Sequence, residues 1–349
     1  MTALTATHLP NNYGGVESFG VPDMSTRLSI LGLLCILATG PGCSKPRTPE
    51  QMKALNHELF QAVDHHDVAS VRRLLDKGAK IEATSYNDMT PLGLAASNND
   101  LPMVQLLLQK GANPHAKDHS LETPLMHAAY DGHAEIVRFL LKQNPDRTEI
   151  NAALLEVAHG EPAILIMDSP QKDPADQEVA RRRAISEVEA PLVETTKLLL
   201  DGGADIDVTD KDQGPPLVDA AAHAQTDVVL LLLSRGARLD ARDKYGNTAL
   251  INASCECALA TMNSTYDVVK VLLEKGSDVN AHSNDGTTAL MNAAGGFGGS
   301  AIVKLLLDHG ADPRARDANG KTALKYAKEA HREDKVQLLQ QALAKPHKR

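Results

Sequence analysis

The chain has 349 residues, of which 42% are apolar, and it carries a formal net charge of −9 with no tryptophan. A core this poor in aromatic residues must be packed from Leu, Ala, Val and Ile, as short helices pressed closely together are. Nucleic-acid binding is not expected, because it needs a basic stripe, and the basic runs at residues 181–183 and 345–349 lie beside acids or at a terminus.

The first predicted element is an apolar segment near the N-terminus. Residues 28–40 are predominantly apolar and follow Arg27, and they are fewer than the roughly 20 residues that span a bilayer. This arrangement predicts the apolar region of a secretory signal peptide. Residues 1–23 are polar and contain no Lys or Arg, which favours Met24 as the true start of translation; a disordered extension that still tolerates export is the alternative.

The end of this leader carries a candidate lipid-attachment residue. Cys43 follows a glycine and resembles the cysteine of a bacterial lipobox, which is acylated and becomes the mature N-terminus, although Gly40 stands where that motif usually has Leu. Cleavage after Gly40 is the alternative, with Pro41 obstructing the cut. We therefore predict a leader over residues 1–42, acylation of Cys43, a polar tether over residues 43–52, and a location in the periplasm on a lipid anchor.

A seven-residue sequence motif, called a phrase below, recurs through the rest of the chain. It begins with Thr or Pro, continues with Pro or Ala and then Leu, and in most copies ends in small residues; the copies at 90 and 123 and those at 215 and 248 start 33 residues apart, and those at 288 and 322 start 34 residues apart. Threonine caps a helix N-terminus, proline is tolerated in the first turn, and alanine lets neighbouring helices touch. The phrase predicts short buried helices at residues 90–96, 123–129, 215–221, 248–254, 288–294 and 322–328.

A second phrase recurs between copies of the first, in most units 13 or 14 residues after the first phrase begins. It is a run rich in Val and Leu that ends in Gly, which predicts a second helix closed by a left-handed glycine; the runs are residues 71–78, 104–111, 193–202, 228–236, 268–276 and 302–310. In the fifth unit this pattern predicts that Leu231 is buried. Asp-x-x-Gly at residues 243–246 and 317–320 predicts a hairpin turn into the next unit.

Together the two phrases resemble the ankyrin repeat, over roughly residues 56–345. The resemblance implies an all-α solenoid of stacked helix pairs joined by short hairpin loops, with about eight repeats in a domain spanning residues 53–345. The first and last units depart from the phrases, as the terminal caps of a solenoid often do. The fourth unit is interrupted near residues 161–190, and this insert is either a binding loop or neutral drift at a tolerant position.

The motifs that could carry chemistry are weak. Cys255-x-Cys257 has no second cysteine pair to complete a metal or redox site, and a disulfide across so short a span is strained. The glycine-rich run 295–299 follows no predicted strand and precedes no Lys-Ser/Thr, so a phosphate loop is not expected. We predict no catalytic residue, no metal and no cofactor, and we expect that the chain is not an enzyme.

The resemblance also implies that a partner binds in a concave groove lined by the first helices and the hairpin tips. The fourth position after the capping Thr is usually apolar in ankyrin repeats but is polar in several units here, which indicates that it faces the groove rather than the core. Tyrosines on this face suit an interface because they offer contact area and a hydrogen bond together. The expected partner-binding residues are Tyr86, Asn87, Met89, His119, Glu122, His127, Tyr130, Asp131, Asp219, Lys244, Tyr245, Asn252, Glu256, Asn284, Asp285 and Asn292.

These patterns predict a protein-binding scaffold or protector in the bacterial envelope. The expected partner is a protein of unknown identity, the free chain is expected to be a monomer, and its membrane contact is limited to the lipid anchor. A periplasmic immunity protein that inhibits a delivered toxin is the alternative, since a lipid anchor and an acidic groove also suit that role. An enzyme whose site lies in the insert is a third hypothesis.

Overall fold

The computed structural model describes residues 47–84, 89–160, 189–211, 214–255, 262–297 and 300–344. The predicted leader, Cys43 and residues 161–188 of the insert lie outside the described residues. The chain divides into a short N-terminal unit, residues 1–51, and a repeat unit, residues 52–349. The features below belong to the repeat unit.

Helices follow one another in pairs along the described residues. The first helices of the pairs are α1 (Pro49–Asp64), α3 (Pro91–Ser97), α5 (Pro124–Tyr130), α7 (Arg147–His159), α9 (Pro216–Ala222), α11 (Ala249–Ala253), α13 (Ala289–Gly295) and α15 (Ala323–Glu329). The second helices are α2 (Val68–Asp76), α4 (Leu101–Gln109), α6 (Ala134–Leu141), α8 (residues 189–201), α10 (Thr226–Ser234), α12 (Met262–Glu274), α14 (Ala301–Asp308) and α16 (Glu333–Ala344). None of the described helices is both long enough and apolar enough to cross a bilayer.

The helices stack in two layers. First helices from α3 to α15 each pack against the next first helix, and α2, α4 and α6, then α10, α12, α14 and α16, do the same in the second layer. The core between the layers is built from leucines that are almost fully excluded from solvent, among them Leu92, Leu125, Leu154, Leu217 and Leu250. The prediction of an all-α repeat solenoid is confirmed.

Threonine caps start most of the short first helices. The side-chain oxygen of the threonine accepts a hydrogen bond from the backbone N–H three residues later, as expected of an N-cap, at Thr90, Thr123, Thr248 and Thr288. Thr322 occupies the same position before α15 without this bond, and Pro215 occupies it before α9. The predicted capping role is therefore confirmed for four of the threonines.

A residue with a positive φ follows most of the second helices. After two of these helices it is not the glycine that the sequence predicted. After α8 the residue with positive φ is Gly203 at +99°, one residue beyond the predicted Gly202. After α6, where the sequence has no glycine, Asn144 adopts a φ of +58°. Asparagine tolerates the left-handed region better than most residues that carry a side chain, so the third unit ends as the others do.

The buried face of α10 lies one residue away from the predicted position. Leu232 is fully buried, Leu231 is half-buried, and Leu230 is 38% exposed. The expectation for Leu231 is therefore wrong. A continuous run of four leucines over residues 230–233 carries no periodicity that could identify the inward face.

Among the described residues, three side chains cap a first helix of the preceding repeat. We call these contacts the cross-repeat caps. Each joins a side chain at the start of a second helix to carbonyls at the end of a first helix, as follows: His133 Nε2 to Ser97 O at 2.7 Å, Gln225 Nε2 to Val157 O at 3.2 Å and Gly160 O at 2.5 Å, and Lys335 Nζ to Ala293 O at 2.7 Å and Gly296 O at 3.0 Å. They satisfy carbonyls that a helix end leaves without intrahelical partners.

The described part of α8 begins with a buried carboxyl group. The Glu189 carboxylate accepts hydrogen bonds from the backbone N–H groups of Thr226 and Asp227, at 3.2 and 2.6 Å, and so caps α10. Residues 189 and 190, at the end of the range predicted for the insert, are therefore helical. Burial raises the pKa of Glu189 to about 7, the charge of Asp227 adds to this effect, and the two backbone hydrogen bonds oppose it.

We expect the free energy of unfolding to fall as the pH rises from about 4.5 to about 7. Glu189 keeps its proton up to about pH 7 in the folded chain and ionises near 4.5 in the unfolded chain, so the folded state binds more protons across this window. The loss, at most about 3 kcal/mol, is complete above pH 7. Chemical denaturation near pH 5 and near pH 8 should show a weaker pH dependence for Glu189→Gln than for the wild type.

The control for this measurement is Glu135→Gln, which changes an exposed carboxyl on α6. It should keep the pH dependence of the wild type. An unchanged pH dependence in Glu189→Gln would show that the Glu189 carboxyl does not keep its proton in the folded chain.

Candidate functional site

The hairpin tips between repeats present exposed side chains. In the tip that precedes α11, Asp243 Oδ1 accepts hydrogen bonds from the backbone N–H groups of Tyr245 and Asn247. An isolated β-bridge between Arg242 and Thr248 closes the hairpin. Because the turn is held by backbone and aspartate contacts, its outer side chains point to solvent, and Tyr245 is 62% exposed.

Neighbouring tips are hydrogen-bonded to one another. The backbone N–H of Asn284 donates to Tyr245 O at 2.9 Å, its side-chain amide donates to Lys244 O at 3.3 Å, and the N–H of Ala318 donates to Asp285 O at 2.7 Å. The Lys244 ammonium lies 5.3 Å from the centre of the Tyr245 ring. The neighbouring hairpin tips therefore form one continuous surface, which includes four predicted partner-binding residues: Lys244, Tyr245, Asn284 and Asp285.

A hydrogen bond links several hairpin tips to the first helix that follows. The aspartate that opens the tip accepts from a side chain nine residues later, and the pairs are Asp118 with His127 at 2.8 Å, Asp243 with Asn252 at 3.2 Å, and Asp317 with Tyr326 at 2.7 Å. Burial raises the pKa of Tyr326 to about 12, and the bond to Asp317 adds to this shift. The hydrogen bond to the tip aspartate fixes each of these hairpin tips to the first helix that follows it.

These bonds explain why side chains at the fourth helix position, predicted to face the groove rather than the core, are more buried than expected. His127 and Asp219 are buried, with 7% and 9% exposure, while Asn252 and Asn292 are half-buried. A polar side chain can be buried when its hydrogen bonds are satisfied, and His127 and Asn252 bond to the tip aspartate. Asn292 donates instead to Ile251 O at 3.1 Å.

Asp219 is the exception in this series. Asp210 stands nine residues before it, so both positions of the equivalent pair are carboxylic acids in this repeat. Burial raises the pKa of Asp219, the charges of His159 and His223 oppose that shift, and Asp243 and Asp210 reinforce it. Asp219 Oδ2 and His159 Nδ1 lie 3.8 Å apart, and neither atom has a hydrogen-bond partner.

A cavity of about 270 Å³ opens where three repeats meet, between α3, α5 and α7. We call it the groove pocket. Its lining residues are Met89, Ser97, Glu122, Met126, His127, Tyr130, Asp131 and Glu156. The structure thus brings together five of the predicted partner-binding residues, from Met89 to Asp131 in sequence.

The remaining predicted residues lie apart from the groove pocket or outside the described residues. His119 is exposed on the tip before α5. Tyr86, Asn87 and Glu256 lie outside the described residues, as does Cys257, while Cys255 is exposed. Of the other three pocket residues, Ser97 lies on the face of α3 that the repeat pattern assigns to the groove, whereas the sequence interpretation missed Met126, next to the predicted position, and Glu156, in the repeat whose phrase is too degenerate to align.

Leu121 was also missed, although the sequence carried a signal for it. It occupies the position of Gly246 and Gly320 in the equivalent tips, and it keeps their left-handed backbone with a φ of +67°. A left-handed leucine is strained, and this one is also 68% exposed. The departure from Asp-x-x-Gly at residues 118–121 is the signal that could have identified it.

One cluster in the described residues has the composition of a metal site. Ligand atoms of Asp118, Glu122 and His127 lie within 4.8 Å of one another. However, His127 Nε2 bonds to Asp118 at 2.8 Å, and Glu122 Oε2 lies 3.4 Å from the other ring nitrogen. The carboxylates thus face different nitrogens, which fits a hydrogen-bonded imidazole rather than a chelate in which one nitrogen and both carboxylates face a single ion.

Comparison with known proteins agrees with this architecture. No curated protein matches the chain. The sequence model of the family described as "Ankyrin repeats (3 copies)" matches residues 59–153, 184–262 and 257–349, which is more than half of the chain. Ankyrin repeats indicate a protein-binding scaffold. The chain belongs to the ankyrin repeat family.

Proposed function

We propose that the chain binds a protein partner through its groove surface, which we define as the hairpin tips together with the groove pocket. The observation that carries this proposal is a set of three large exposed side chains on that surface, Leu121, Tyr130 and Tyr245, with 68%, 42% and 62% exposure. Leu121 and Tyr130 lie in one repeat and Tyr245 lies in a later tip; large exposed apolar side chains on such a surface favour an interaction site, and tyrosine is enriched where binding energy concentrates.

The strain at Leu121 supports the same surface. The equivalent tips use glycine, which adopts a positive φ without a steric penalty. A leucine held in that conformation with its side chain in solvent contributes little to the core. Strained residues cluster at functional sites, so a contact with a partner gives this side chain a role that the free chain does not.

Replacement of Tyr130 and Tyr245 by alanine is expected to weaken partner binding about tenfold or more, as loss of interface aromatics does. Both side chains are exposed, so the free energy of unfolding should change by no more than about 0.5 kcal/mol for each. The measurement is capture from envelope extracts on the immobilised chain, identification of the bound protein, and titration of that protein against wild type and variant.

The matched control is Leu230→Ala, an exposed apolar residue on α10 in the other layer of helices, which should bind the partner as the wild type does. If the double tyrosine variant folds and binds like the wild type, the partner uses another surface. An envelope enzyme as the captured protein would favour a protecting role, whereas a delivered toxin would favour inhibition.

We also propose that the chain acts in the bacterial envelope, anchored through Cys43. The support is the apolar segment after Arg27 and the glycine-cysteine pair that resembles a lipobox. Expressed in bacteria from Met24, the chain is expected to incorporate radioactive palmitate and to be recovered with membranes. Cys43→Ala should lose the label, and a wild type that takes up no label would contradict the anchor.

A further inference from the structure

The described lining of the groove pocket carries more acidic than basic side chains. Three of its lining residues carry carboxyl groups: Glu122, Asp131 and Glu156. Its described lining includes no Lys or Arg, and His127 is the only residue in that lining that could be cationic. The His127 ring already faces Glu122 on one side and Asp118 on the other. The charge of the lining thus favours a cationic occupant.

Two of the pocket carboxylates, those of Asp131 and Glu122, contact neighbouring groups. Asp131 Oδ2 accepts a hydrogen bond from Ser97 Oγ at 2.8 Å. The backbone N–H of Glu122 donates to Asp118 Oδ1 at 2.9 Å, and its Oε2 lies 3.4 Å from His127 Nδ1. Acceptors that are already oriented lose less conformational entropy when a ligand binds.

The size and the apolar walls of the pocket fit one long side chain. A volume of about 270 Å³ lies below the roughly 300–1,000 Å³ of pockets that hold drug-sized ligands. Met89, Met126 and Tyr130 supply apolar surface for a methylene stem. Tyr130 is 42% exposed, so its ring can also receive a cation over its face.

Among basic side chains, arginine matches these features best. Its planar guanidinium has five N–H donors, pairs with carboxylates through two parallel hydrogen bonds, and stacks on aromatic rings, whereas the lysine ammonium is a compact and strongly hydrated charge. We propose that the groove pocket binds an arginine side chain of the protein partner. This proposal rests on the proposed function, since it takes the groove surface to be where the partner binds.

The proposal can be tested without the partner, using the full chain labelled with ¹³C at the methionine methyl groups. The probe is N-acetyl-arginine N-methylamide, and its neutral control is the citrulline analogue, which has nearly the same shape. The arginine probe is expected to shift the methyl resonances of Met89 and Met126 in a saturable way. The resonances of Met103 and Met291, both buried in the core, should stay in place.

Two variants separate the pocket from general electrostatic attraction. Glu122→Gln/Glu156→Gln removes two pocket carboxylates and should weaken the arginine probe about tenfold or more, because hydrogen bonds to charged groups are lost. Glu135→Gln/Glu274→Gln removes two exposed carboxylates elsewhere and should leave its affinity within about twofold, since exposed charges are screened by salt. Equal weakening in both variants would overturn the proposal.

Other results also decide the question. Equal shifts from the citrulline probe, equal affinity for the corresponding lysine probe, or no shift of the Met89 and Met126 resonances would each overturn the assignment of arginine. If the arginine probe binds as expected but Tyr130→Ala/Tyr245→Ala still captures its partner normally, the pocket does bind arginine, whereas the proposed groove interface, and with it the assignment of that arginine to the partner, fails. If the tyrosine variant loses the partner but the probe does not bind, the interface stands and the pocket assignment fails.

Discussion

Replacement of Leu232 by alanine is expected to lower the free energy of unfolding by about 2 to 5 kcal/mol. Leu232 is fully buried between the two helix layers in α10. The surrounding helices relax only partly, so a cavity remains where the leucine side chain was. Equilibrium denaturation, followed by circular dichroism, measures the change.

The neighbouring leucines provide controls within the same helix. Leu231 is half-buried and Leu230 is 38% exposed, so the loss should decrease from Leu232→Ala to Leu231→Ala to Leu230→Ala. The same amount of side chain is removed in each variant. A larger loss at Leu231 than at Leu232 would show that α10 presents a different face to the core.

Replacement of Lys335 by alanine is expected to lower the free energy of unfolding by about 2 to 5 kcal/mol, because it leaves buried carbonyls without a donor and removes a large buried side chain. Lys335 is fully buried, and its ammonium donates to Ala293 O at 2.7 Å and Gly296 O at 3.0 Å. Its loss leaves carbonyls at the end of α13 without these bonds and opens a cavity. The free energy of unfolding, measured by denaturation, reports both effects.

Lys335→Met separates the two contributions. It keeps most of the side-chain volume and removes the hydrogen bonds, so its loss should be smaller than that of Lys335→Ala. Lys304→Ala, at an exposed position on α14, is the matched control and should change stability by no more than about 0.5 kcal/mol. A Lys335→Ala loss as small as that of Lys304→Ala would mean that this cap contributes nothing to stability.

The helices could be predicted from the sequence because their signals are local and repeated. Thr90 and Thr123 cap helices that begin at the residues expected of them, and the spacing of the phrases predicted how the pairs follow one another. A pattern repeated at constant spacing averages out the ambiguity of any one copy. Leu231 shows the limit of this signal, because four consecutive leucines favour no particular face.

The pocket could be predicted only in part, because it joins residues from three repeats. Glu122, His127 and Tyr130 were identified because their own repeat aligns with the family pattern. Glu156 was not, since its helix starts with Asp146 as the N-cap instead of a Thr-Pro-Leu phrase. The burial of His127 depends on a bond to Asp118, and a single polar position does not reveal its partner nine residues earlier.

The cross-repeat caps impose an order on how the chain is completed during synthesis. Each capping side chain lies C-terminal to the carbonyl that it caps, by 36 residues for His133, 65 for Gln225 and 42 for Lys335. At about 5 to 20 residues per second, a ribosome makes each of these helices about 2 to 13 seconds before the residue that closes it. Each such repeat therefore remains unfinished until the next one emerges.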